Sequence, residues 1–264
     1  MDNFVDERDH GILDNDRYTF AVLNRIIDGK CQLLMTDHER LIICQTDGEH
    51  YPVWIWTPDN ITDKEKDMIY RLIQEKCPIG KGMKYNLKYD PAKYFIERAS
   101  DEGLKVKVFC NMFAYDCPKS IEPTIVSEGH PYLCSEKDID EAASIYKLLH
   151  DELGAPGDDG YYRETAKNII LSNRLYFWKN NGGKTVASCG YMIGEKICSI
   201  TGVYTHKDQR RKHFAQNLVY HVTREIEKTG NIPMLYTDAD YAASNSCYTK
   251  LGYVIRGKLC TIGI

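Results

Sequence analysis

An apolar run, Ile197-Cys198-Ser199-Ile200-Thr201-Gly202-Val203-Tyr204-Thr205, passes into a basic turn, His206-Lys207-Asp208-Gln209-Arg210-Arg211-Lys212-His213, and the turn opens a helix. In that helix Ala215, Leu218, Val219, Val222 and Ile226 fall at i, i+3, i+4, i+7 and i+11, which makes one apolar stripe. A strand feeding such a helix commits this part of the chain to an α/β arrangement. It also fixes a chemistry. The first turn of a helix offers unpaired backbone N–H groups and the positive end of the dipole. Cations are disfavoured there, yet Arg210, Arg211 and Lys212 stand together at that end. An anion resolves the conflict, and a diphosphate suits it best.

Composition narrows the class. At 264 residues the chain has room for one large or two small domains. Hydrophobic residues at 43% and charged residues at 27% are those of an ordinary globular protein. A net charge of −4 speaks against a dedicated nucleic-acid binder. No apolar run approaches the roughly 20 residues of a membrane span. The first ten residues are acidic and polar, unlike a secretory signal. Of the ten cysteines, most sit in apolar runs such as Ile42-Ile43-Cys44, and no Cys-x-x-Cys pair occurs. The expectation is free thiols, no zinc ribbon, and a reducing, cytoplasmic setting.

The second half reads as a succession of elements. Ser135-Glu136-Lys137-Asp138 is a capping box, and Ile139, Ala142, Ala143, Tyr146 and Leu149 follow at helical spacing. The loop 154–160 breaks that helix, and a second covers 162–172. Strands are expected at 174–178, 185–193 and 197–205, the first two joined by the turn Asn180-Asn181-Gly182-Gly183. After the stripe helix, Gly230 is a stop signal. A strand at 233–237, a short helix at 244–251 closed by Gly252, and strands at 253–255 and 259–262 complete the order ααβββαβαββ. The first half is less legible: a helix over 18–28, strands at 32–35, 40–46 and 53–56, then a helix capped by Thr62 and Glu65. That helix carries the stripe Met68, Ile69, Leu72 and Ile73. A strand at 85–89, a helix at 92–99 and a strand at 106–113 follow. This αβββαβαβ order echoes the second half without sequence identity. Trp54 and Trp56 alternate with Ile55 and are expected in the core.

Ser244-Asn245-Ser246-Cys247-Tyr248-Thr249-Lys250-Leu251-Gly252-Tyr253 adds a second signal. With the basic turn it resembles the cofactor half of the GNAT superfamily, the acetyl-CoA-dependent N-acetyltransferases. That family carries Gln/Arg-x-x-Gly-x-Gly/Ala and, later, Asn-x-x-Tyr-x-Lys-x-Gly-Phe/Tyr. Arg210 and Ala215 match the first pattern; Asn245, Tyr248, Lys250, Gly252 and Tyr253 match the second. The order of elements matches the GNAT core over roughly 133–264. The resemblance implies a mixed, strongly twisted sheet in an α/β, GNAT-type fold. The echo implies a tandem of two lobes, a degenerate one over 1–125 and an acetyltransferase domain over 131–264. The segment 116–130 is the expected boundary. In the first lobe the turn Thr57-Pro58-Asp59-Asn60 has neither cation nor glycine, so nothing there would hold a diphosphate.

By the same resemblance, the backbone of Val203, Tyr204 and Thr205 would bind the pantetheine arm of acetyl-CoA where the strand splays from its parallel neighbour. Gly202 hints at a bulge or a close backbone approach. The turn Arg210, Arg211, Lys212, His213, Phe214 and Ala215 would bind the diphosphate. Many relatives have glycine where Arg211 and His213 stand. Asn245 would hydrogen-bond the cofactor arm, or else cap the short helix. Tyr248 would protonate the leaving thiolate, as a phenol with an ordinary pKa of about 10 suits a weak acid at neutral pH. Ser199 occupies the position where some relatives keep a glutamate base. Glu195, Glu164, Asp151 and Glu152 are the nearby carboxylates. A Cys–His pair among Cys189, Cys198, Cys247, His206 and His213 has no local signature. The implied reaction is acetyl transfer from acetyl-CoA to a primary amine, with no metal. The acceptor would be a small molecule or peptide, with no nucleic-acid or membrane partner, and the protein a monomer or homodimer. The rival is a non-catalytic acyl-CoA-binding or interaction module that keeps the fold.

Overall fold

The computed structural model describes residues 1–46, 51–80, 82–154, 157–194 and 196–264. The chain divides into two compact units. The first comprises 1–114, 237–242 and 255–264; the second comprises 115–236 and 243–254. The boundary read at 125–131 follows chain order, and the units do not. The 116–130 segment lies within the second unit, and the last ten residues within the first.

The first unit begins with α1 (Glu7–Asn15), which sequence periodicity missed. It is nine residues long and starts on a capping box between Asp6 and Asp9. Then come α2 (Ala21–Ile26), β1 (Leu33–Thr36), β2 (Ile42–Gln45), β3 (Val53–Trp56), α3 (Asp63–Lys76), β4 (Lys84–Leu87), α4 (Tyr89–Asp101) and β5 (Lys107–Asp116). The expected helix over 18–28 is thus a six-residue one. The capping box of Thr62 and Glu65 opens α3 as read. Its buried stripe is Ile69, Tyr70 and Ile73, while Met68 is exposed. Met68 and Tyr70 flank Ile69 on a helix, so only one of them can share its inward face. Trp54 and Trp56 are buried; the Trp56 indole N–H donates to Asp16 at 3.1 Å.

The second unit contains β6 (His130–Leu133), α5 (Ile139–Glu152), α6 (Asp159–Leu171), β7 (Leu175–Lys179), β8 (Thr185–Ile193), β9 (Ile197–Thr205), α7 (Phe214–Lys228), β10 (Ile232–Asp238) and α8 (Ala242–Lys250). β6 was not foreseen; it is four residues long and pairs antiparallel with β7. The loop residues Ala155 and Pro156 lie outside the described residues. The two strands expected at 253–255 and 259–262 are one, β11 (Val254–Gly263), which pairs antiparallel with β4.

Strand order in the first unit is β1-β2-β3-β4-β11-β5, and in the second β10-β9-β8-β7-β6. Both mix parallel and antiparallel neighbours: β3 with β4 and β9 with β10 are parallel, and β1–β2–β3 and β6–β7–β8–β9 are antiparallel. Counting α1 and β11, and setting aside β6 at the head of the second half, each half of the chain runs ααβββαβαβ, so the echo is closer than the sequence showed. The first core gathers Ile43, Ile55, Ile73 and Phe95 with Cys260 and Ile262 of β11. The second gathers Ile145, Tyr146, Tyr162, Ile170 and Phe177 from α5, α6 and β7.

Candidate cofactor and active site

β9 and β10 pair in parallel only at Ile197↔Ile232, Cys198↔Pro233 and Ser199↔Met234. Beyond Ser199 the register with β10 ends, although both strands continue. On its other edge β9 stays paired with β8, from Ile193↔Cys198 to Ala187↔Thr205, with a register shift between Ser188 and Gly190. One extra residue is therefore taken up on β9 near Gly202. Gly202 has φ +63°, and a Cβ there would stand 2.9 Å from both Oη and Cε1 of Tyr146. Ser188 Oγ donates to the Gly202 carbonyl at 2.8 Å. Bulge and close approach are thus both present. The result is an open strand edge at Val203, Tyr204 and Thr205, the residues expected to face a cofactor arm.

β9 leads through a 3₁₀ turn at Lys207–Gln209 into residues 210–213 and then α7. Arg211 and His213 have φ +64° and +63°. These are two positions at which the sequence comparison above expects glycine. At both, the backbone takes the left-handed conformation that glycine serves, at a cost of about 1–2 kcal/mol for each side chain. α7 has no side-chain cap at its N-terminus, so its first N–H groups are not closed by a local oxygen. Asn217 Nδ2 donates to the carbonyls of His213 (3.0 Å) and Ile125 (3.0 Å) and lies 3.2 Å from Ser127 Oγ. Ser127 Oγ donates to the Lys212 carbonyl at 2.8 Å. Residues 125–127 therefore strap the turn from behind. Phe214 is buried, Ala215 half-buried, and Arg211 and Lys212 exposed. The His213 ring sits 3.0 Å from Gln216 Oε1 through Nδ1, and the Lys212 ammonium donates to Gln209 Oε1 at 3.0 Å.

Arg210 differs from its two neighbours. Its Nη2 donates to both oxygens of Glu152, at 2.8 and 2.6 Å, and its Nε to the Thr205 carbonyl at 3.1 Å. The guanidinium also lies over the Tyr204 ring, 5.8 Å from its centroid. Burial pushes the Glu152 carboxyl up, but Arg210, Lys207 and Tyr204 together draw it below the usual carboxylate range. Glu152 is an anchor for the turn, then, and a poor proton acceptor.

α8 carries Asn245 and Tyr248. Asn245 is its fourth residue, which removes the capping alternative. Its Oδ1 accepts from the Tyr115 hydroxyl at 3.2 Å. Tyr248 is buried between Tyr115 and Tyr253, with centroids 6.4 and 6.0 Å away. Burial pushes its phenol well above the ordinary value, so it keeps its proton throughout the neutral range. Gly252 ends the helix with φ +93°, where a Cβ would meet the Lys119 carbonyl at 2.2 Å. Tyr115 and the 125–127 strap escaped sequence reading. They lie 130 and about 90 residues from their partners, and only the polar Asn217 within an apolar helix stripe hints at one of them.

No base emerges. Ser199 Oγ is turned to Met234 Sδ at 3.1 Å. Asp151 and Glu164 are exposed, and Glu195 lies outside the described residues. Burial pushes up the thiols of Cys189 and Cys198, and that of Cys247 to about 11; among the described residues no cysteine hydrogen-bonds a histidine. In the first unit β3 and β4 also pair over only two residues. There the α3 N-terminus carries its own capping box, Thr62 N donating to Glu65 Oε2 at 2.7 Å.

Residues 180–261 match the family model described as FR47-like protein. No curated protein matches the chain in sequence. Among solved structures, the chain resembles an acetyltransferase of the GNAT family from Colwellia psychrerythraea. Identity is 11%, 98% of each chain is covered, and the TM-score is 0.59. It also resembles a GCN5-related N-acetyltransferase from Sphaerobacter thermophilus, at 10% identity over 92% of this chain and 84% of that one, TM-score 0.64. A third, the GCN5-related N-acetyltransferase from Kribbella flavida, is 13% identical over 94% of each chain, TM-score 0.58. The fold is the mixed α/β fold of GNAT acetyltransferases, and the likeness extends over both halves of the chain.

Proposed function

We propose that the second unit is an acetyl-CoA-dependent N-acetyltransferase acting on a primary amine. The observation that carries this is the parting of β9 from β10 after Ser199, directly before a turn that keeps glycine-type φ at Arg211 and His213. Neither feature is needed to pack a plain parallel sheet. Together they provide an extended open edge and a ring of N–H donors under two exposed cations, which fit an amide-bearing arm ending in a diphosphate.

Acetyl-CoA would supply the activated acyl thioester. Val203, Tyr204 and Thr205 would hold its arm by backbone hydrogen bonds, and residues 211–215 with the Arg211 and Lys212 side chains would hold its diphosphate. Arg210 would act by shaping the turn through Glu152 and the Thr205 carbonyl. Asn245, set by Tyr115, would orient the arm, and Tyr248 would hold a proton beside the leaving sulfur. The acceptor amine would reach this site neutral or lose its proton to water, since Glu152 is engaged and Ser199 is no base.

The engagement of Arg210 by Glu152, and Ser199 where some relatives keep a glutamate, favour the second reading, a non-catalytic acyl-CoA-binding module. Incubation with acetyl-CoA and a panel of primary amines, with release of CoA thiol as readout, separates the two. Amine-dependent release that falls in Tyr248→Phe supports the enzyme. Binding of acetyl-CoA without release for any amine supports the module.

A further inference from the structure

The first unit holds a pair of thiols that the proposed chemistry does not use. Cys31 precedes β1 and is half-buried, and Cys44 is fully buried in β2. Their Sγ atoms are 3.2 Å apart. All ten cysteines are free, and no other two are in hydrogen-bond contact among the described residues. The contact is held from both sides. Leu34 pairs with Cys44 in the β1–β2 ladder, and Gln32 N donates to the Gln45 carbonyl at 2.8 Å. The Cys31 sulfur also meets the carbonyls of Ile26 (3.5 Å), Gly29 (3.6 Å) and Ile27 (3.9 Å) at the end of α2.

We propose that Cys31 and Cys44 are a modification site, closing to a reversible disulfide when the protein meets a small disulfide such as oxidised glutathione. Sulfur atoms in contact need to close only to about 2.05 Å. Cys31 lies in irregular chain ahead of β1, so it can move without breaking the ladder. The half-buried Cys31 is the sulfur an oxidant can reach. Its thiolate attacks one sulfur of glutathione disulfide and expels one glutathione thiolate. Cys44, as thiolate, then attacks the Cys31 sulfur and expels the second. Two protein thiols are oxidised and one glutathione disulfide is reduced to two thiols, with both protein protons passing to solvent or glutathione. Burial, then the neighbouring Cys31, push the Cys44 thiol up. The second step is therefore the slow one, and it quickens as pH rises. The product ties the end of α2 to β2 across 13 positions of sequence.

Trypsin tests this directly, because cleavage after Lys30, Arg40 and Lys64 places Cys31 in peptide 31–40 and Cys44 in peptide 41–64. The protein is treated with oxidised glutathione, blocked with an alkylating agent in denaturant, and digested without reductant. The expected result is one cross-linked species of the two peptides, two hydrogens lighter than their sum and split by dithiothreitol. Titratable thiols fall by two. Cys31→Ser is expected to melt like the reduced protein and to form no link, while a Cys110→Ser control still forms it. Recovery of both peptides unlinked, or of Cys31 only as a glutathione adduct with Cys44 free, would overturn the proposal.

Discussion

Tyr248 is almost sealed between Tyr115 and Tyr253, and burial raises its phenol well above the ordinary value, so it stays protonated at neutral pH. Tyr248→Phe keeps the packing and removes only the proton. We expect kcat to fall about 10²-fold or more while acetyl-CoA affinity holds, as steady-state kinetics and a thermal shift will show. Gly202→Ala loads a left-handed position with a methyl 2.9 Å from Tyr146. It is expected to cost about 1–3 kcal/mol in denaturant unfolding. His38 offers a pH test in the first unit. Its ring nitrogens lie 2.7 Å from Asp9 and 3.0 Å from Asp2, with Asp6 at 3.6 Å and the Phe4 ring alongside. Asp9 above all, then Asp2, raise its pKa against burial and Arg8. Folded protein therefore holds this proton more tightly than unfolded chain. The stability is complete below the ordinary imidazole pKa, about 6.5, and is lost as pH rises through the raised folded value. His38→Gln should flatten the decline of Tm across that window. Tyr248 and Asn245 stand out in the sequence as candidates because their spacing is local. Tyr115, their partner 130 residues away, left no pattern to read.

At the scale of elements, charge alone marks the turn before α7 as a candidate anion site, but it does not show how the three cations divide. Three adjacent cations look equivalent in sequence; the fold commits Arg210 to Glu152 and leaves Arg211 and Lys212 exposed. Glycine at 211 and 213 fits the observed φ without strain. Arg211→Gly and His213→Gly should each hold stability level or raise it by up to about 1 kcal/mol, in contrast to the usual cost of glycine. Asn217→Ala removes the donor that ties α7 to Ile125 and to the His213 carbonyl. It should cost about 1–3 kcal/mol and weaken acetyl-CoA binding, both measurable by thermal denaturation with and without ligand. Long helices with a full apolar stripe were read well. The short α1 and β6 were not, since nine and four residues carry too few periods to stand out.

At the scale of the molecule, the sequence divides once, near residue 125, because a linear pattern cannot show a strand that pairs with a distant segment. β11 pairs with β4 and gives Cys260 and Ile262 to the first core, while Cys117 N donates to the Pro233 carbonyl in the second unit. A fragment of 131–264 lacks Tyr115, Cys117 and Ser127 and should fail to melt cooperatively. Deleting 255–264 should unfold the first unit, seen as rapid proteolysis within residues 1–114. An acyl-CoA site on β9 and the α7 turn is tested by the thermal shift with acetyl-CoA of the wild type and of Arg211→Glu/Lys212→Glu. Both changed side chains are exposed and leave the Arg210–Glu152 pair intact. The prediction is stabilisation of the wild type, about 2.7 kcal/mol at 100 times Kd, that the variant loses. No shift in the wild type, or an equal shift in the variant, would contradict it.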